Sequence, residues 1–132
     1  MLAVGEHYLP PLPEVLLRAS NPFGGGVAGC HQELCGALSG GILILGALWG
    51  RTSSTEKDDH LKALVSRLRE GFIARYGSAI CQPIRDVARD EAIGCLPVVE
   101  AAIQMLVPLI EEEIERGSLP ARGNDFERKE SS

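Results

Sequence analysis

Four cysteines are the residues of this sequence that could do chemistry, and three of them stand where helices are predicted to begin. Cys35 lies near the start of a helix predicted over about 32–49, and Cys81 and Cys95 each precede a proline by two residues. Proline is favoured at the first position of a helix. A helix N-terminus carries about half a positive charge and free N–H donors, so it stabilises a thiolate and lowers the pKa of a cysteine placed there. These positions therefore predict reactive thiols.

The spacing of the cysteines leaves two kinds of sulfur chemistry open. Four residues separate Cys30 from Cys35 and thirteen separate Cys81 from Cys95, so neither pair forms a C-x-x-C motif. One interpretation is thiol/disulfide electron exchange centred on Cys35, with Cys81 or Cys95 as the resolving partner. The other is a zinc or iron–sulfur site for electron transfer or sensing, in which at least three of the four thiolates would have to converge. We interpret His31 as an ordinary residue at a helix start rather than as a metal ligand.

Glycines surround Cys35 on both sides. Residues 24–26 form a Gly-Gly-Gly connector that can take positive φ angles and lets the chain turn tightly into the helix. Within the helix, small residues such as Gly36 and Gly40 form a stripe along which a neighbouring backbone could approach or a bulky cofactor could bind, and we expect packing. A phosphate cradle is disfavoured, because no Lys, Ser or Thr follows in the P-loop positions and no strand precedes the glycines. The glycines that would face a bound cofactor are Gly24, Gly25, Gly26, Gly36 and Gly40.

Composition limits the class of protein. A chain of 132 residues with 45% apolar and only 5% aromatic residues predicts one domain of closely packed helices. The net charge of −5 and the lack of a basic block argue against nucleic acid as a partner. The longest uncharged run, 34–50, would be about 25 Å long as a helix, too short to favour membrane insertion. We expect a cytoplasmic protein, since the N-terminus does not resemble a secretory signal, and structural disulfides are rare in the cytoplasm.

The predicted fold is all-α, a small bundle of four to five helices with a glycine-rich loop before a small-residue central helix. The helices are expected at about 13–18, 32–49, 56–76, 81–88 and 97–116, within a single domain 1–116 followed by a disordered tail 117–132. Leu64, Leu68 and Phe72 belong to the clearest apolar stripe, and Pro108 should bend the last helix. We interpret His60 as a surface residue and 111–113, three glutamates, as a solvated face. If the cysteines are inert, the same bundle could serve as a dimerisation or interaction module.

The segments that carry the cysteines resemble a known family. They are FGGG at 23–26, CGALSG at 35–40, RYGSAICQ at 75–82 and CLPVVEAAIQML at 95–106. Together they resemble the redox-active family C_GCAxxG_C_C, small proteins with a CGAxxG motif and four cysteines. Cys35 matches the motif cysteine, completed by Gly36, Ala37 and Gly40, while Cys81 and Cys95 match the two C-terminal cysteines.

This resemblance covers about 14–106 and implies an all-helical fold with a redox role and no established substrate or redox partner. Family members usually carry their first cysteine on an additional N-terminal helix, and Cys30 either takes its place or is unrelated to it. A similar domain in split-Soret cytochromes is associated with an iron–sulfur centre, so the resemblance implies such a cluster as a cofactor. Zinc stays open as the alternative drawn from the cysteines themselves. The haem of those cytochromes does not carry over, because the sequence has no C-x-x-C-H motif.

Overall fold

The computed structural model describes residues 2–118 and 120–122, and in this part of the chain the fold is all-α, as predicted. No strand occurs among these residues, only isolated β-bridges between Leu34 and Ile80 and between Asp90 and Gly94. The described residues form six α-helices rather than four to five, and a short 3-10 helix at Asn21–Phe23 lies between the second and the third. The helices are α1 (Leu2–Tyr8), α2 (Glu14–Ser20), α3 (Gly36–Trp49), α4 (Asp59–Tyr76), α5 (Cys81–Ala88) and α6 (Leu96–Glu115).

The core lies where α3, α4 and α6 pack on one another. The predicted stripe of α4 is buried there: Leu64, Leu68 and Phe72 are 2% exposed or less. Burial of each such side chain contributes about 1.5–3 kcal/mol to stability. The unpredicted helix α1 has only seven residues, fewer than an isolated helix needs, and Val4 and the following Leu9 fix it by entering the core.

The small-residue face of α3 packs closely on the loop backbone at its start and borders a cavity further along. At its start, a Cβ on Gly36 would lie 3.4 Å from the Gly24 Cα, so the loop backbone does approach this helix closely, as expected. One turn further on, Gly40 and Leu43 line an apolar cavity of about 230 Å³ beneath α1 and α2. The helix begins at Gly36 and not near residue 32, because the residues before it pair with another segment.

The C-terminal half of α6 departs from the sequence interpretation. The glutamates at 111–113 were expected to be solvated, but Glu113 is only 3% exposed. Its carboxylate lies 2.5 Å from Nε2 of His60, which is exposed as predicted, and 3.2 Å from the Arg116 guanidinium. The reason is helical spacing: Glu113 follows Leu106 and Ile110 on the inner face, whereas the next residue, Ile114, is 37% exposed.

No helix of the described residues is long and apolar enough to cross a membrane. Most of the segment predicted as a disordered tail, residues 119 and 123–132, lies outside the described part. Within that part, the backbone N–H of Ala121 donates to the Leu48 carbonyl at 2.8 Å, so the chain returns to the end of α3.

Candidate functional site

A short antiparallel pairing brings Cys35 and Cys81 together. The N–H of Cys35 donates to the Ala79 carbonyl at 2.9 Å, and the N–H of Cys81 donates to the Glu33 carbonyl at 2.8 Å. These bonds flank the bridge between residues 34 and 80. Since alternate residues of paired chains face the same side, the two cysteines are diagonal neighbours, with Cα atoms roughly 7–8 Å apart in such a pair. Both thiols point inward and are buried, with exposures of 7% and 5%.

The glycine connector packs directly on Cys81. A Cβ on Gly26 would lie 2.5 Å from the Cys81 Cβ, closer than any real contact, so only glycine fits there. Gly26 belongs to a left-handed turn over 25–29, in which every φ lies between +53° and +70°. Val27 and Ala28 share this conformation, which costs about 1–2 kcal/mol for each residue with a side chain. The turn is therefore a strained cover held over a buried thiol.

His31 lies in this loop and not at a helix start as predicted. Its φ of +63° is left-handed, and its carbonyl accepts a hydrogen bond from the N–H of Gln82 at 2.8 Å. His31 is not helical for the same reason that α3 begins late: residues 31–35 are held by backbone hydrogen bonds to 79–82 and do not form a helix.

The other two cysteines approach Cys81 from separate segments. Cys30 is exposed, and its thiol donates to the Gly26 carbonyl at 3.0 Å. Cys95 is half-buried at the N-cap of α6, where its carbonyl accepts the N–H groups of Val98 and Val99. All of the predicted cysteines therefore gather at the end of the bundle where α3, α5 and α6 begin.

The environment of Cys81 reverses one expectation. Burial raises the pKa of this thiol, and the nearby thiols of Cys35, Cys95 and Cys30 raise it further, Cys35 most among them, against the lowering effect of Arg85. The sequence predicted a lowered pKa from the helix N-terminus. That prediction is wrong for Cys81, because the desolvation penalty of a buried thiolate exceeds the stabilisation that the partial charges of one helix N-terminus provide.

The described residues contain no set of side chains arranged as metal ligands. No group of three or more His, Cys, Asp or Glu side chains converges closely enough there to hold an ion. The donors proposed for zinc or an iron–sulfur cluster, Cys30, Cys35, Cys81 and Cys95, thus share one end of the bundle without surrounding a common point.

The glycines predicted to face a cofactor have two kinds of surroundings: Gly24, Gly36 and Gly40 line the apolar cavity beneath α1 and α2, whereas Gly25 and Gly26 pack against other parts of the chain. Gly26 packs on Cys81, and a Cβ on Gly25 would lie 2.9 Å from the Gly29 Cα. The N–H groups of Gly24, Val27 and Ala28 donate to carbonyls of the preceding residues 21–23, so they are not free to hold a phosphate.

Sequence reasoning missed Arg85. This residue follows Cys81 by four positions on α5, and its half-buried side chain places Nε out of contact with solvent and without a hydrogen-bond partner in the described chain. The spacing of one helical turn was visible in the sequence. What the spacing did not show is that the arginine finds no carboxylate.

A family model matches this chain. The model described as "Putative redox-active protein (C_GCAxxG_C_C)" matches residues 1–109, which is most of the chain. No curated protein and no solved structure matches the chain significantly.

Proposed function

The chain belongs to the C_GCAxxG_C_C family of redox-active proteins, and from this membership we propose that it exchanges electrons through a reversible disulfide between Cys35 and Cys81. The observation that carries the proposal is the pairing of the segments around residues 34 and 80, which sets both thiols on one buried side. Cys95 is the second available partner for Cys35. Cys81 is preferred because the backbone bonds of the pairing fix its position relative to Cys35 directly.

The proposed exchange consumes one disulfide of a partner. A thiolate of the pair attacks that disulfide, forms a mixed disulfide and releases one partner thiol. The second cysteine of the pair, after losing its proton, attacks the mixed disulfide and releases the other partner thiol. Two electrons and two protons have then passed from the pair to the partner.

Closure of the disulfide requires a small movement. Disulfide-bonded cysteines usually have Cα atoms at most about 6.8 Å apart, and a diagonal pair lies roughly 7–8 Å apart. A shift of about 1 Å is therefore enough. The strained turn at 25–29 lies against Cys81 and is the element that would have to follow this shift.

The test counts thiols and maps the bond on protein purified without oxygen. Mild oxidation with an oxidised small dithiol should remove two of four free thiols, and digestion with mass spectrometry should find Cys35 linked to Cys81. Reduction should restore both thiols. Cys35→Ser should abolish the link, whereas Cys30→Ser, at the exposed cysteine, is the matched control and should retain it.

Three outcomes would overturn the proposal. A link that leaves out Cys35 would reassign the pair. Stoichiometric zinc, or iron with sulfide, together with protected cysteines would establish the metal centre instead. Four inert thiols in a protein that sediments as a stable dimer would leave the interaction module.

A further inference from the structure

Arg85 is the one charged side chain of α5 that is directed into the fold. Cys81 and Ile84 form the buried side of this helix, and Arg85 stands one turn after Cys81. Its neighbour Asp86 is exposed and accepts a hydrogen bond from the Gln82 amide at 2.7 Å. The acidic side chain nearest in sequence to Arg85 is thus engaged on the solvent side of the helix.

The guanidinium has no partner of its own. Within residues 2–118 and 120–122, the Arg85 side chain makes no ion pair and no hydrogen bond, and its Nε is shielded from water. A shielded donor of a charged group without an acceptor is unfavourable for stability. Such a cost is normally avoided by pairing the charge, and the Cys81 thiol is a group on which Arg85 acts electrostatically.

We propose that Arg85 is a positioning residue that sets the redox poise of the Cys35–Cys81 pair by holding a fixed positive charge one helical turn from the Cys81 sulfur. This inference rests on the proposed function. When the disulfide takes up two electrons at a pH at which Cys81 ionises, negative charge appears on this sulfur in place of a neutral bond. A positive charge nearby stabilises the reduced form, so that the pair becomes more oxidising.

The groups that act on Cys81 all oppose Arg85. They are the thiols of Cys35 at the start of α3, Cys95 at the start of α6 and Cys30 in the loop. Each of these thiols, once ionised, disfavours a negative charge on Cys81. Among the described residues that act on this sulfur, Arg85 is the only cation, and its removal leaves the repulsion uncompensated.

The experiment measures the reduction potential of the protein disulfide against a reference dithiol for the parent chain and four variants. Arg85→Met keeps the apolar part of the side chain and Arg85→Gln keeps a polar end. If one variant folds poorly, the potential can still be measured on the other. Measured at alkaline pH, where Cys81 ionises, both should shift the equilibrium about tenfold towards the disulfide, which corresponds to a potential lower by about 30 mV. Arg85→Lys keeps the charge and should recover most of the parent value. Arg89→Gln removes an exposed charge just beyond α5 and should change the potential little.

A second readout separates this inference from the proposed function. In a background of Cys30→Ser, Cys35→Ser and Cys95→Ser, Cys81 is the only thiol, and its alkylation by iodoacetamide can be followed against pH. Arg85→Met should slow this reaction at neutral pH. Slower alkylation in a protein that forms no disulfide would sustain the role of Arg85 and refute the redox pair. A disulfide whose potential is the same with and without Arg85, or a Lys variant as perturbed as the Met variant, would refute the role of Arg85.

Discussion

The two ends of the helical bundle treat buried charged groups in opposite ways. At one end, where α3, α5 and α6 begin, four free cysteines gather beside an arginine that has no hydrogen-bond partner in the described chain. At the other end, where α3 and α6 finish and α4 begins, the buried carboxylate of Glu113 is bonded to His60 and Arg116. We call these the cysteine end and the carboxylate end.

The carboxylate end is built for stability. The Arg67 and Arg116 guanidinium groups both pair with Glu112 on the surface, while the buried Glu113 carboxylate receives its bonds from the exposed side chains of His60 and Arg116. The ring of Trp49 stands edge-on to His60 and closes this region. A buried charge that is paired in this way resists change, because removal of either partner leaves the other without compensation.

The cysteine end has the reverse character. Its thiols can change charge and bonding, and the cation beside them is not committed to a carboxylate. The Gly26 backbone lies tightly on Cys81 in a strained turn. Strain and unpaired charge persist where the surrounding fold enforces them, and such places are frequently functional. The comparison therefore predicts that mutations at the two ends affect different properties.

The largest expected effect is that of Gly26→Ala. The new Cβ would require Cys81 to move, and a left-handed φ of +69° is unfavourable for alanine. We expect a loss of about 3 kcal/mol in the free energy of unfolding, measured by denaturant under reducing conditions, with slower disulfide formation in the folded fraction.

Gly29→Ala is the matched control for this substitution. Gly29 belongs to the same turn with φ of +70°, but no atom lies within 4 Å of a Cβ placed there. Its loss should be about 1–2 kcal/mol, with disulfide formation unchanged. Equal losses for both variants would mean that contact with Cys81 contributes nothing and that the turn is strained without bearing on the thiol.

A smaller effect is expected from Glu113→Ala at the carboxylate end. The substitution removes the acceptor of the His60 and Arg116 bonds, and we expect about 2 kcal/mol of destabilisation by chemical denaturation. Glu112→Ala removes a surface carboxylate from the next position and should cost less than about 1 kcal/mol. Neither variant should alter the potential of the cysteine pair. A potential that moves with Glu113 would break the distinction between the two ends.

Much of the fold was predictable because regular helices carry their own signals. The apolar period of α4 predicted its buried face, and prolines predicted the starts of α5 and α6. The position of Glu113 was also readable, since it continues the spacing of Leu106 and Ile110, but three adjacent glutamates were interpreted by composition rather than by face. Helix α1 was not predictable, because seven residues hold their helical form only through packing.

The candidate site was only partly predictable. Its cysteines were identified from their positions at helix starts, but their grouping depends on bonds between residues 33–35 and 79–81, more than forty positions apart along the chain. No local pattern encodes such a pairing, because the choice of which two segments pair is decided by the packing of elements that are distant in the sequence. The same holds for Arg85, whose spacing from Cys81 is local but whose lack of a partner depends on every element around it.

The smallest expected effect concerns Tyr8, which joins α1 to the carboxylate end by donating a hydrogen bond to Glu111. Burial, with the Glu111 carboxylate as acceptor and nearby negative charge, raises the pKa of this phenol to about 12, above the usual value of about 10. The folded state thus favours the protonated phenol, so this contribution to stability is complete below about pH 10 and is lost as pH rises to about 12. Tyr8→Phe should reduce stability at neutral pH by at most about 1 kcal/mol and flatten the alkaline decline. Denaturation curves at a series of alkaline pH values, under reductant, would show it. Parallel curves for the two proteins would mean that the alkaline loss arises at the cysteine end, where thiols ionise, and that Tyr8 contributes only its ring.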